Sequence, residues 1–142
     1  MKQRWLTATV LGIVALSGCS EKEETPSLSA EAIEVAFEMA EEQPGLENIV
    51  LEAKVTQGDE PVDDAEEVVF EVWPYDDREE SDFHEASHAE SGLYQTPLAL
   101  EEAGIYMVQV HVTARGMHVM PTQPLFAGEI SESEIEQFEE GN

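Results

Sequence analysis

Tyr106-Met107-Val108-Gln109-Val110-His111-Val112-Thr113 is the longest strictly alternating stretch in the chain. Tyr106, Val108, Val110 and Val112 share one side, and Met107, Gln109, His111 and Thr113 the other. Period-two alternation of this length predicts a strand with one buried face. The same pattern recurs upstream. Tyr94, Thr96 and Leu98 alternate after the Ser91-Gly92 turn signal, and Val68, Phe70 and Val72 lead into Trp73-Pro74. Ile49, Leu51, Ala53 and Val55 alternate with Val50, Glu52, Lys54 and Thr56 before the turn at Gly58-Asp59-Glu60-Pro61. Ile33, Val35, Phe37 and Met39 face away from Glu34, Ala36, Glu38 and Ala40, and Gln43-Pro44-Gly45 ends the run.

Short strands separated by turns every 8–15 residues predict an all-β chain. The expected architecture is an immunoglobulin-like antiparallel β-sandwich of about seven strands over residues 31–130. Glu102-Ala103-Gly104-Ile105-Tyr106-Met107-Val108 sharpens this expectation. It is similar to the tyrosine corner of such sandwiches, with Val108 where a cysteine can stand. Residues 131–142 are acidic and read as a tail or a short frayed helix.

The chain has 142 residues, 32 acidic against 6 basic side chains, and a formal charge of −26. That length suits one domain. The charge excludes nucleic acid as an electrostatic partner, because a phosphate backbone needs a basic face. Lys2 and Arg4 precede an uncharged, mostly apolar run from Trp5 to Leu16, which is too short to span a bilayer. Leu16-Ser17-Gly18-Cys19 then matches the bacterial lipoprotein signal. Residues 1–18 are therefore expected to be a signal peptide, and residues 19–30 an acylated Cys19 followed by an acidic tether. Thioether-linked diacylglycerol with an N-terminal acyl chain such as palmitate would hold the protein on the extracytoplasmic face of the cell membrane. With Cys19 consumed by lipid, a site for a soft metal has only His and Met side chains to draw on.

Two clusters carry candidate chemistry. His84-Glu85-Ala86-Ser87-His88 has the spacing of the zinc-protease helix, where two imidazoles one turn apart hold the metal. Asp76 to Ser91 offers only Phe83 and alanines as an apolar face, and Tyr94 stands where a third imidazole would fall. A polar hairpin arm or loop, with His84 and His88 on one side, is the stronger expectation. No Ser-His-Asp or glycine-rich phosphate signature is present, and no enzyme activity is expected. The second cluster is Gly116-Met117-His118-Val119-Met120-Pro121, with His111 upstream. His118 and Met120 would lie on one side of an extended segment, about 7 Å apart. Imidazole with thioether suits copper, Cu(I) above all. The competing expectation makes Met117 or Met120 core filler, His118 a hydrogen-bonded loop residue and Arg115-Gly116 a plain turn.

The run from His111 to Pro121, together with Gly92-Leu93-Tyr94 and Ala103-Gly104-Ile105-Tyr106, resembles the YtkA-like lipoproteins of Bacillus and its relatives, which are grouped with FixH-like domains. The resemblance spans about residues 31–130 and implies an exported sandwich. FixH-type proteins are associated with assembly of copper-containing respiratory oxidases. The implied function is a membrane-anchored binding lipoprotein that handles copper for such an oxidase. His118 and Met120 are the leading ligands, His111 and Met117 come next, and His84 and His88 are possible additions. The alternative is a metal-free module that contacts an envelope protein.

Overall fold

The computed structural model describes residues 31–142. The expected signal peptide, Cys19 and the tether lie outside these residues. Eleven strands and one helix follow in order: β1 (Ile33–Phe37), β2 (Glu42–Gln43), β3 (Ile49–Gln57), β4 (Glu60–Pro61), β5 (Glu67–Pro74), β6 (Asp82–Glu85), β7 (Ser87–Glu90), β8 (Leu93–Leu98), β9 (Gly104–Ala114), β10 (Met117–Val119), β11 (Thr122–Ala127) and α1 (Glu132–Gly141). A 3-10 turn at Arg78–Glu80 links β5 to β6.

The strands form two sheets. The first runs β1-β3-β8-β7 with β4 on the end of β3, and the second runs β2-β11-β9-β5-β6 with β10 beside β9. Every pairing is antiparallel except the two-residue contact of β2 with β11. This is the all-β sandwich expected. The strand count exceeds seven because the extra strands are two to four residues long, too short to show a period, and because one late segment splits into β10 and β11.

The alternating positions close the core as the patterning requires. Leu51, Ala53 and Val55 from one sheet meet Phe70, Val108, Val110 and Val112 from the other, all with no exposed surface. Each such Val, Leu or Phe contributes about 1.5–3 kcal/mol by leaving water. The Tyr106 hydroxyl donates to the Glu102 carbonyl at 2.8 Å, completing the tyrosine corner. Gly92 and Tyr94 fix a second corner. Gly92 has φ +76°, and a side chain there would collide with the Val55 carbonyl. The Tyr94 hydroxyl donates to the Val62 carbonyl (2.9 Å) and accepts from the Ala65 N–H (3.1 Å).

Residues 131–142 are a helix that docks onto the sandwich. Ser131 and Glu134 form a reciprocal capping box at its start. Phe138 is buried and meets Tyr75 and Phe126 edge-on, with ring centroids 5.5 and 5.7 Å apart.

Candidate metal centre

Gln109, His111 and Thr113 alternate with the buried valines of β9, so they stand on the outer face of the second sheet. On the neighbouring β5, Val69 lies opposite His111 and Glu71 opposite Gln109. Glu71 is only 5% exposed although it belongs to this outer face. The turn at Arg78–Glu80 and the neighbouring β9 supply its partners. Arg78 Nη2 (3.3 Å) and His111 Nε2 (2.9 Å) both approach Glu71 Oε2, and the Ser81 hydroxyl donates to Oε1 (2.9 Å). Burial opposes ionisation of Glu71, but the hydrogen bonds from His111 and Ser81 and the Arg78 guanidinium outweigh it. The carboxyl is held below its usual range. Arg78 also stacks over the Trp73 ring at 4.4 Å and donates to Gln109 Oε1 at 3.1 Å, which pins the turn to the sheet.

A tight hairpin brings the next imidazole alongside. Arg115 (φ +51°) and Gly116 (φ +75°) make the two-residue turn between β9 and β10, both with the positive φ of the turn type whose twist matches that of the paired strands. A left-handed arginine is costly. Its guanidinium is held by Asp64 (3.1 and 3.3 Å) and Gln57 (2.6 Å). The turn sets His118 opposite Thr113, whose hydroxyl lies 2.8 Å from His118 Nδ1. β10 then ends, and Pro121, which has no N–H to give the ladder, separates it from β11. The Pro121 carbonyl accepts from the Val110 N–H (3.1 Å), and the Met120 carbonyl from Gln109 Nε2 (3.4 Å). Met120 therefore runs beside Gln109–His111, 48% exposed.

The His111 and His118 ring centroids are 6.1 Å apart. An ion bound to an imidazole nitrogen at about 2.0 Å lies roughly 3 Å from the ring centre, so the two rings are close enough to share one ion once their free nitrogens turn toward each other. His111 Nδ1 and His118 Nε2 have no hydrogen-bond partner among the described residues. No group of three His, Cys, Asp or Glu side chains converges into a metal site among those residues. Met120 follows on the adjoining segment, and two imidazoles with a thioether would make a donor set that fits Cu(I) better than a hard ion.

Other candidates are placed elsewhere. Met117 alternates with His118 and packs half-buried against the core, the position of a filler. His84 and His88 do not share a side, contrary to expectation. The chain changes sheets at Ala86, whose N–H donates to the Val68 carbonyl, so β6 carries His84 in the second sheet and β7 carries His88 in the first. His84, opposite the fully buried Phe70, lines an open groove with Val72, Leu98 and Tyr106. His88 Nε2 lies 2.9 Å from Asp63, which also accepts from the Gly92 N–H. His84-Glu85-x-x-His88 thus spans two strands and has no helical turn on which to pair its imidazoles.

Sequence reasoning missed Glu71, Arg78, Ser81 and Thr113. Only Glu71 carried a signal, as a lone acid in the otherwise apolar Val68–Trp73 run. Phe83, 64% exposed, also joins this face with its ring 6.3 Å from His111.

Among the described residues no helix is long and apolar enough to cross a membrane. No curated protein matches the chain significantly. The sequence profile of the YtkA-like family matches residues 28–111. The match takes in β1, β3, β5, β8 and most of β9, and ends at His111, before Met117, His118 and Met120. Covering more than half of the sequence, it shows that the chain belongs to the YtkA-like family, an assignment that points to an extracellular or envelope domain.

Proposed function

We propose that this protein is a lipid-anchored extracytoplasmic lipoprotein that binds Cu(I) on the outer face of its second sheet and serves a copper-containing respiratory oxidase. Cys19 carries the lipid; His111, His118 and Met120 hold the ion. The observation that carries the reading is the imidazole pair, 6.1 Å apart, with one nitrogen of each ring already engaged by the protein. Metal-binding histidines are commonly oriented in this way. The negative field of the chain raises the local concentration of cations, and the nitrogen and sulfur donors select a soft one.

One observation favours a second reading, a metal-free module that docks an envelope protein. Phe83 on this face and Met120 on the segment beside it are large exposed apolar side chains. A titration separates the two. The full chain in detergent is titrated anaerobically with Cu(I) against a chromophoric chelator, beside the His118→Ala/Met120→Ala double variant. The copper reading predicts one equivalent bound tightly by the parent and at least tenfold weaker by the variant. Equal, weak binding by both would leave only the carboxylates as ligands and favour the docking module.

A further inference from the structure

The buried carboxylate behind His111 has a role that neither the family nor the ligand set assigns. Glu71 is 5% exposed on the outer face of a sheet, whereas the other acids among the described residues are nearly all in solvent. Taking a carboxylate out of water is unfavourable unless donors replace the lost hydration. Here all the donors are present: Arg78 and His111 on Oε2, Ser81 on Oε1. An ionised carboxylate only accepts, so the imidazole nitrogen that faces it must donate. The proton of His111 is thereby fixed on Nε2, and the lone pair of the neutral ring is left on Nδ1.

We infer that Glu71 is a positioning residue for the metal site, holding His111 in the Nε2–H form so that Nδ1 is the ligating atom. The inference rests on the copper reading given above and adds two features to it. The carboxylate is occupied by its three donors and stays out of the ligand set, which keeps a hard oxygen away from the ion and favours Cu(I) over Zn(II). Arg78 and Ser81 belong to the same device, because they hold Glu71 in place while it orients the ring. Orienting carboxylates of this kind are worth about 10–100-fold in metal affinity.

Histidine-labelled full chain in detergent provides the test, read by long-range proton–nitrogen NMR at neutral pH. In the metal-free parent His111 is expected as the Nε2–H tautomer, and addition of Ag(I), a redox-inert stand-in for Cu(I), is expected to shift Nδ1. Glu71→Leu should lose the tautomer preference and bind Cu(I) at least tenfold more weakly. Glu71→Gln, whose amide oxygen can still accept from Nε2–H, should stay within about threefold of the parent. An Nδ1–H tautomer in the parent, or Ag(I) on Nε2, overturns the inference even where the leucine variant fails to fold. A folded Glu71→Leu that binds Cu(I) as the parent does overturns it while leaving the copper reading intact. A parent that binds neither ion overturns both.

Discussion

Glu71, His111 and Arg78 come from one strand, its neighbour and the turn between β5 and β6, yet they lock together around a single carboxylate. The acid form of Glu71 is disfavoured by the fold, since its folded pKa lies below the unfolded value. The stability it contributes is complete above the unfolded pKa, about 4.3, and is lost as pH falls through the lower folded value. Urea unfolding as a function of pH should therefore show the parent losing stability below about pH 4.3 more steeply than Glu71→Gln. Parallel profiles would mean that the carboxylate is ionised equally well in the unfolded chain. At this scale the sequence was only half legible. His111 and His118 stood out as rare residue types on an outward register, whereas Glu71 is one of 32 acids, and only tertiary placement gives it three donors. His84 and His88 misled because their spacing mimics a helical turn, and nothing local reveals that the chain changes sheets at Ala86.

The long strands were legible because each alternates over five residues or more. β3, β8 and β9 from Val108 onward bury the very residues their patterning selects; Tyr106 is only half-buried, yet it makes the corner bond that its position after Gly104 implied. Short elements escaped. β2 and β4 have two residues each and are set by what they lie against, not by their own period. β10 and β11 were obscured by Pro121, although that break is what carries Met120 alongside β9. The C-terminal element is another case. Its acidity suggested a tail or a short frayed helix; it is a helix, but one that Ser131 caps and that Phe138 packs on Tyr75 and Phe126. Phe138→Ala should cost about 3 kcal/mol, the low end for a buried aromatic. Hydrogen exchange should show the amides of Glu132–Gly141 losing protection while β9 keeps its own. Uniform loss of protection would mean that the helix is integral to the sandwich and does not dock as a separate unit.

At the scale of the whole molecule, the charge and the proposed anchor dominate. A formal charge of −26 keeps the surface solvated and attracts cations. The Leu16-Ser17-Gly18-Cys19 signal predicts that the parent partitions into detergent and that Cys19→Ala does not. Equal partitioning of the two would remove the lipid anchor from the account. The central claim is that two imidazoles and a thioether hold one cuprous ion, and the most direct measurement is X-ray absorption at the copper edge of the full chain loaded with one equivalent of Cu(I). The account predicts a low-coordinate ion with two nitrogen scatterers and one sulfur, the sulfur disappearing in Met120→Leu. An oxygen-only shell, unchanged by that substitution, would contradict it.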